Sequence, residues 1–374
     1  MKENEVTIDD NRVVGLNCPV VEPGLSELRF GLWYDFRNPQ SGERPFSEFY
    51  REVLEQICVL EKAGFGSVWL TEHHFCEDGY TPSPFVLLAA IAERAGSMHL
   101  GTNLIVSPLH EPVRLAEDAA TLSLLSGGRF DLGIGLGYWK REFEAFGRNL
   151  KNRPSLIEEG VEIVRRCWSG STEPFRGKRF TYAGLPTYPQ PERAPKILVG
   201  AMAEPAIERA ARIGDGFLST QNHHQEAFLE AWVAHGRDLA DAEIMAGQWA
   251  VVAEDPERVW ADIGENAMYQ LNAYIEWGAF GDPGVVPRFD SPQAILDAGA
   301  YRLQDAAMAV DEIWELKSER PQVRDVHYFA QLPGESVESG TERMLYLAEN
   351  VAKPIQARLR DDKEGQEQVS SRAS

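Results

Sequence analysis

The chain has 374 residues, 43% of them apolar and 25% charged, which is ordinary for a globular protein with a large core. Its formal net charge of −21 at pH 7 disfavours nucleic acid and anionic membrane surfaces as partners, because both require a basic face. No apolar run approaches the roughly 20 residues that cross a bilayer, and the acidic start MKENEVTIDDNRVV is not typical of a secretory signal. We therefore expect a cytoplasmic protein with a small-molecule ligand.

Strand-like and helix-like segments alternate regularly along the chain. The apolar, aromatic stretch LRFGLWYD (28–35) predicts a strand. A helix is predicted over 46–64, where Phe49, Val53 and Ile57 recur at helical spacing. The same alternation predicts strands at 67–72, 99–106, 129–137, 196–201, 216–220, 244–253 and 326–331. It predicts helices at 83–96, 112–128, 155–170, 205–214, 224–240, from Pro256 onward and at 335–355.

Eight successive βα units indicate an α/β protein, a (β/α)8 TIM barrel. A doubly wound sheet also alternates, but eight units favour closure. Two stretches break the rhythm: 171–195 has hairpin-like content, and 277–325 joins a Gly/Pro loop to helical segments. Long insertions usually cover the catalytic mouth of a barrel, which lies at the carboxyl ends of its strands. We predict an N-terminal arm at 1–26, the barrel with both insertions at 27–355 and a disordered tail at 356–374.

The four cysteines, at positions 18, 58, 76 and 167, form no CxxC pair. Their spacing suggests neither a disulfide framework nor a zinc site. We interpret them as free thiols in a reducing compartment, each of them a small apolar filler.

Two adjacent histidines, His73 and His74, end the second predicted strand. Neighbouring side chains on a strand point to opposite faces, so only one of them can face the mouth. A metal site would need a third ligand from another strand end, and the first strand has no HxH motif, so we expect no metal. The pair is then either structural, with both rings hydrogen-bonded, or it supplies a catalytic acid/base or a cofactor contact. Histidine suits the second role because it titrates near neutral pH.

Three glycines, Gly133, Gly135 and Gly137, alternate along the fourth strand, and this pattern is not a dinucleotide fingerprint. Glycine within a strand marks a close approach of backbone or ligand, so these residues either lie beneath a flat ring or allow tight packing. Asn222 follows the sixth strand. It either caps the next helix or contacts the substrate.

The segment 72–147 contains EHHF, GTNLIVSPLHEPVRLAEDAATLSLLSGGRF, a glycine-bearing strand and EF..FG. In these motifs, and more loosely over 28–355, the chain resembles the bacterial luciferase-like family of flavin-dependent monooxygenases. The resemblance implies a barrel that binds reduced FMN at its mouth and uses O2 to oxidise a small apolar substrate of the aldehyde, ketone or hydrocarbon type. A separate flavin reductase would supply the reduced FMN, because the chain shows no nicotinamide fingerprint.

The resemblance also assigns residues. It implies that His73 is catalytic and faces the flavin, while His74 faces the helix layer. It implies a cis peptide at Asn103–Leu104 that supports the flavin ring, and it places Gly135 beside that ring. Cofactor contacts at the end of the fifth strand fall on Ala201 and Met202.

The sequence departs from the family at the cofactor phosphate. The resemblance implies an arginine that holds the phosphate after the fourth strand, where this chain has Leu136. It also implies a Glu-Ser pair at the end of the fifth strand, where this chain has Ala201 and Met202. Backbone N–H groups near Ala203 are one substitute. The others are the cations Lys140, Arg141 and Arg148.

An aromatic set at the mouth suits an apolar substrate, although each member could equally be core or lid packing. We take the substrate-binding residues to be Trp33, Phe75, Tyr138, Trp139 and Asn222, with Phe36 nearby. The alternatives to a monooxygenase are a deazaflavin-dependent hydride-transfer oxidoreductase, a non-catalytic flavin-binding protein and a metal-dependent barrel hydrolase. We further predict tighter binding of reduced than of oxidised FMN.

We also expect a homodimer. The helices at 83–96 and 112–128 are rich in small residues, so a second chain could pack closely on them, as it does in the family. The alternative is that these faces pack only on the barrel.

Overall fold

The computed structural model describes residues 28–39, 44–184 and 186–373, with side chains through residue 363. The predicted N-terminal arm and Cys18 lie outside these ranges. The strands are β1 (Arg29–Tyr34), β2 (Ser67–Leu70), β3 (His99–Thr102), β4 (Ile105–Val106), β5 (Phe130–Gly135), β6 (Phe175–Arg176), β7 (Thr181–Tyr182), β8 (Ile197–Gly200), β9 (Gly216–Ser219), β10 (Ile244–Gln248), β11 (Ala250–Val252), β12 (Arg302–Gln304) and β13 (Val323–Phe329).

The helices alternate with these strands. They are α1 (Phe46–Ala63), α2 (Pro84–Arg94), α3 (Pro112–Leu125), α4 (Lys140–Ala145), α5 (Arg153–Trp168), α6 (Glu204–Ile213), α7 (Asn222–Ala234), α8 (Pro256–Trp277), α9 (Pro292–Asp297), α10 (Ala306–Glu319), α11 (Val337–Leu347) and α12 (Lys353–Ala373).

The main sheet is a closed parallel barrel, which confirms the predicted fold. Its strands run in the order β3, β2, β1, β13, β10, β9, β8, β5, and a further pairing of β3 with β5 closes the ring. β4 continues β3 after the Asn103–Leu104 peptide, and it also pairs with β5. That peptide bond is cis, as predicted.

Both faces of the barrel strands are buried, as expected of a parallel sheet covered by helices. Phe30 and Leu32 of β1 pack in the large apolar cluster that also contains the helix residues Phe49 and Ile57. Trp33, the next residue after Leu32, belongs to a second cluster, in the barrel interior and mouth. Strand alternation therefore separates the core from the residues available to a site.

The first insertion folds as predicted, because β6 and β7 pair in an antiparallel hairpin. The second differs from the prediction of an insertion at 277–325. α10 lies between β10 and β13 and contributes Ala309 and Ile313 to the large cluster, so it is a regular barrel helix. α8 instead packs Trp260 and Leu271 into the interior and mouth cluster. The insertion therefore comprises α8, α9 and the β11–β12 pair. The apolar stripe of α8 is like that of any barrel helix, so the sequence pattern did not indicate that α8 packs at the mouth.

The carboxyl terminus also differs from expectation, since α12 continues through Ala373 where a disordered tail was predicted. This segment is polar but rich in Gln, Glu, Arg and Lys, which are good helix formers.

Among the described residues, no helix combines the length and apolarity needed to cross a bilayer. The described cysteines, at 58, 76 and 167, are unpaired. Val86 of α2 and Leu125 of α3 are exposed, and the dimer through these helices stays a prediction.

Candidate active site

The two adjacent histidines lie just after the end of β2 at Leu70, and their rings contact different groups. The ring of His73 lies among aromatic side chains at the barrel mouth. The ring of His74 packs on Phe146 on the other side, with a centroid separation of 4.8 Å. Only His73 is therefore placed to serve a ligand in the mouth.

Both ring nitrogens of His73 are hydrogen-bonded. Nδ1 lies 2.9 Å from Oε1 of Glu142, and Nε2 lies 2.7 Å from the hydroxyl of Tyr138. Glu142 is completely buried, and its Oε1 also accepts a hydrogen bond from the backbone N–H of His74 at 2.7 Å. Glu142 thus holds the position of His73 through both the ring and the backbone.

These contacts define the proton positions. An ionised carboxylate can only accept, so Nδ1 of His73 carries the hydrogen and donates it to Glu142. Nε2 is then bare and accepts the hydroxyl proton of Tyr138. Burial raises the pKa of Tyr138 well above its usual value, so the phenol stays protonated. The result is a chain of proton carriers from Tyr138, which is partly exposed, to the buried Glu142.

Five aromatic rings surround His73. The nearest are Tyr80 and Trp277, with centroids at 4.7 and 4.8 Å. Trp277 also stacks on Trp139 at 4.9 Å and 25°. The five rings are those of Tyr80, Tyr138, Trp139, Tyr274 and Trp277. They leave the His73 side chain only 5% exposed, and such apolar walls exclude water from the proton chain.

The inserted helix α8 is fastened to the mouth by buried polar contacts. Arg37 donates to Asp78 at 2.6 Å, and its guanidinium lies 4.8 Å from the centre of the Tyr269 ring. The hydroxyl of Tyr269 also donates to Asp78, at 2.9 Å. Gln270 donates to Asp35 at 3.3 Å. Burial raises the pKa of Asp35 to about 6, and the charge of Arg37 opposes that rise. These contacts hold the carboxyl end of α8 over His73.

The residues around His74 form a different group. Glu72, His74 and His110 bring three ligand-type atoms within 4.8 Å of one another. Glu72, however, already accepts the backbone N–H of Val106 at 2.6 Å and Nε2 of His110 at 2.8 Å. Burial alone would raise the pKa of Glu72, but His110 lowers it to about 2. Burial alone would lower the pKa of His110, but the negative charge of Glu72 outweighs it and raises that pKa above its usual value. Glu72 and His110 therefore form an ion pair, and Glu72 also holds the backbone at Val106.

Asn103 and Leu104 lie at the mouth and are both partly exposed. The Leu104 side chain occupies the space beside the neighbouring glycines: a Cβ at Gly135 would lie 2.7 Å from it, and a Cβ at Gly200 only 2.4 Å. A Cβ at Gly133 would collide with the Thr102 carbonyl at 1.7 Å. Packing therefore accounts for these glycines, and the predicted cofactor contact of Gly135 is not needed to explain its residue type.

The remaining predicted site residues are dispersed. Trp33 is buried and stacks on Phe329 at 4.2 Å, whereas Phe75 is 47% exposed and contacts Phe146 beside His74. Asn222 is exposed and lines a separate polar cavity of about 180 Å³. Ala201 and Met202 follow β8, and neither is among the groups that contact His73 in the described chain. The structure thus brings together His73, Tyr138 and Trp139 and leaves the others outside this cluster.

Two important residues were missed in the sequence. Glu142 lies in the EF..FG motif, but a glutamate in a short polar helix resembles an ordinary exposed residue. Trp277 is the last residue of α8, and no local signal indicates that this helix crosses the mouth. The signal that the sequence did offer was the place of Glu142 in the EF..FG motif at 142–147, which assigns it no partner.

Comparison with known proteins is consistent with this fold. The family model described as luciferase-like monooxygenase matches residues 28–349. The chain is 26% identical over 259 residues to the oxygenase component of a flavin-dependent trigonelline monooxygenase of Acinetobacter baylyi, covering 66% of this chain and 71% of that protein. It is 28% identical over 199 residues to an F420-dependent glucose-6-phosphate dehydrogenase of Amycolatopsis mediterranei, covering 51% of this chain and only 60% of that protein.

Among solved structures, the fold resembles that of the monooxygenase RslO1 from Streptomyces bottropensis. The TM-score is 0.73 at 22% identity, with 87% of this chain and 99% of that chain covered. At this identity the likeness concerns the fold alone.

Proposed function

The chain belongs to the luciferase-like monooxygenase family, and on that premise we propose that it is a two-component monooxygenase. It would use reduced FMN from a separate reductase, together with O2, to oxidise a small apolar substrate of the aldehyde, ketone or hydrocarbon type. The observation that supports this proposal is the proton chain Tyr138–His73–Glu142 within an aromatic enclosure at the barrel mouth. Such a site can deliver or remove one proton beside an apolar substrate without admitting water.

The residues at the mouth are compatible with a bound flavin ring. Nε1 of Trp33 is buried and has no hydrogen-bond partner in the described part of the chain. A buried donor without an acceptor is costly, and a polar ring edge would satisfy it. Asn103 and Leu104 are exposed enough to contact such a ring. Trp33, Asn103 and Leu104 are thus the residues that would hold FMN.

The phosphate of the cofactor has weaker candidates. α6 begins at Glu204, and a carboxylate in the first turn competes with an anion at that helix end. Lys140 is exposed and paired with Glu144. The phosphate contacts at Ala201, Met202 or the nearby cations stay predictions, and a weak grip would suit a flavin that is exchanged with a reductase.

The chain's own residues supply acid/base chemistry. When bound, reduced FMN supplies the electrons that activate O2. Tyr138 is partly exposed, and its hydroxyl can accept a substrate proton while its own proton passes to Nε2 of His73. In the reverse direction, the imidazolium returns a proton to Tyr138 as Tyr138 gives its own to a basic substrate atom. A proton that arrives on His73 makes an imidazolium, and Glu142 stabilises it at 2.9 Å. Trp139 and Trp277 would pack on the apolar part of the substrate.

A deazaflavin-dependent hydride transfer is the second candidate, because one of the matching proteins is named as an F420-dependent dehydrogenase. A His73 that accepts an alcohol proton through Tyr138 would serve that reaction equally well. The two candidates differ in cofactor and in the use of oxygen.

Anaerobic titration with reduced FMN, oxidised FMN and reduced F420 separates them. We expect reduced FMN to bind more tightly than oxidised FMN, and the bound reduced FMN to consume O2 when the complex is mixed with aerated buffer. Decanal and cyclohexanone serve as probe substrates, with 18O2 to detect incorporation of one oxygen atom. Tight binding of reduced F420, without affinity for reduced FMN, would replace the proposal by the second candidate.

A further inference from the structure

A polar pair lies inside the barrel beneath the mouth, outside the proton chain of His73. Asp325 and His327 are both on β13 and are completely buried. Nδ1 of His327 lies 3.1 Å from Oδ1 of Asp325, and Nε2 of His327 lies 2.9 Å from Nδ2 of Asn103. The pair therefore connects the barrel interior to a residue at the mouth.

The neighbouring strands leave room for this pair. A Cβ at Gly31 would lie 2.9 Å from both Asp325 Oδ1 and His327 Cβ. A Cβ at Gly247 would lie 3.1 Å from Nε2 of His327 and 2.8 Å from the Trp33 ring. Burying a polar pair is costly unless its hydrogen bonds are made, and here two strands carry glycine where any side chain would crowd it.

The charges determine the state of His327. Asp325 accepts hydrogen bonds from Arg29, from Ser67 and from the Trp69 indole, at 3.2, 2.5 and 3.0 Å. Burial would raise the pKa of Asp325, but hydrogen bonding from His327 and the charge of Arg29 lower it, so the group is ionised. Arg29 already balances this charge, and a second cation at a completely buried position would be uncompensated. His327 is therefore neutral.

The tautomer follows from the acceptor. A carboxylate has no hydrogen to give, so Nδ1 of His327 is the donor and Nε2 carries a lone pair. That lone pair must receive a hydrogen from Asn103. The Asn103 amide consequently directs its nitrogen toward His327, because the flipped amide would place two acceptors against each other.

The orientation leaves Oδ1 of Asn103 directed away from the barrel interior. Asn103 is partly exposed, and no donor from the described residues reaches this oxygen. The mouth thus presents the oxygen of the Asn103 amide and not its nitrogen, and the buried residues His327 and Asp325 determine which of the two faces outward.

We propose that Asp325 and His327 are positioning residues that fix the Asn103 amide, so that its oxygen accepts a hydrogen bond from a ring N–H which the flavin gains on reduction. The cofactor in this inference rests on the proposed function, whereas the amide orientation does not. The consequence is selectivity: oxidised FMN lacks that N–H group and gains nothing from the acceptor.

The orientation is tested without any cofactor by NMR of protein labelled with 15N-histidine. We expect His327 to be neutral, with hydrogen on Nδ1 and a bare Nε2. Hydrogen on Nε2 would overturn the assignment, whatever the protein binds.

The selectivity is tested by anaerobic titration of His327→Leu with reduced and oxidised FMN. Loss of the acceptor should reduce the affinity for reduced FMN by about 2- to 10-fold, the worth of one neutral hydrogen bond, and leave oxidised FMN unchanged. His99→Leu is the matched control, because His99 also pairs with an aspartate, Asp131 at 2.7 Å, at the opposite end of β3. Its ratio of affinities should equal that of the unaltered protein.

Melting temperatures of both variants show whether either one fails to fold. An equal loss for both FMN forms, or none, in folded His327→Leu would disprove the positioning role. If the unaltered protein binds no reduced FMN at all, the proposed function fails instead, and the NMR result still decides the amide orientation.

Discussion

Two glutamate–histidine pairs, each with a buried glutamate, flank the end of β2. Glu142 and His73 meet at 2.9 Å on the side of the mouth, and Glu72 and His110 meet at 2.8 Å on the side of the helices. The partners are chemically identical. They differ in their surroundings: the His73 side chain is 5% exposed within aromatic rings, whereas that of His110 is 29% exposed.

The second contacts of each pair indicate its role. Glu72 uses its other oxygen to hold the Val106 backbone, two residues after Leu104. His73 instead uses its other nitrogen to contact Tyr138, a titratable group that faces the mouth. A pair that ends on backbone is suited to stability, and a pair that ends on a second proton carrier is suited to catalysis. Residue type alone does not distinguish them.

The largest expected effect separates the two histidines. His73→Gln should lower turnover by about 10²- to 10⁴-fold, because it removes the acid/base group. His110→Gln should leave turnover close to that of the unaltered protein. Single-turnover product formation with reduced FMN and O2 measures both. The comparison fails if His110→Gln is the slower variant at equal stability.

The sequence predicted the barrel, since the alternation of strands and helices depends on local periodicity. The division between His73 and His74 was expected from strand alternation and from the family resemblance, and the flavin contact of His73 stays a prediction. It could not predict Glu142 as a partner of His73, because 69 residues separate them. It also did not reveal α8 as a cover, since the contacts of Tyr274 and Trp277 with His73 are made across the fold. At Gly135 the sequence did show a pattern, the alternating glycines of the fourth strand, which suggested a ligand contact. The close approach of the Leu104 side chain explains the glycine without a ligand.

A smaller effect distinguishes the two glutamates. Glu142→Gln keeps an acceptor for His73 but loses the charge that stabilises the imidazolium, a charge-assisted contact worth about 1.5–3 kcal/mol. Turnover should therefore fall by about 10- to 150-fold. Glu72→Gln should chiefly lower the melting temperature, because it removes the negative charge that pairs with His110. Parallel measurements of kcat and melting temperature on both variants test this, and equal losses of kcat would remove the distinction.

The smallest effect is the pH dependence of the Glu72–His110 pair. The folded pKa of Glu72 is lowered from its ordinary 4.5 to about 2, so its contribution is present above pH 4.5 and is lost as the pH falls toward 2. The folded pKa of His110 is raised above its ordinary 6.5, so its contribution is present below 6.5 and is lost as the pH rises through the raised value. The pair therefore stabilises the fold most between about pH 4.5 and 6.5.

Melting temperatures of the unaltered protein and of His110→Gln, recorded from acid to alkaline pH, test this window. Because the His110 side chain is partly open to water, we expect the free energy of unfolding of the two proteins to differ by only about 1 kcal/mol where the difference is largest. The difference should shrink on both sides of the window, and 1 M salt should reduce it. A difference that does not vary with pH would mean that His110 contributes packing and not charge, and the two pairs would then differ in more than their surroundings.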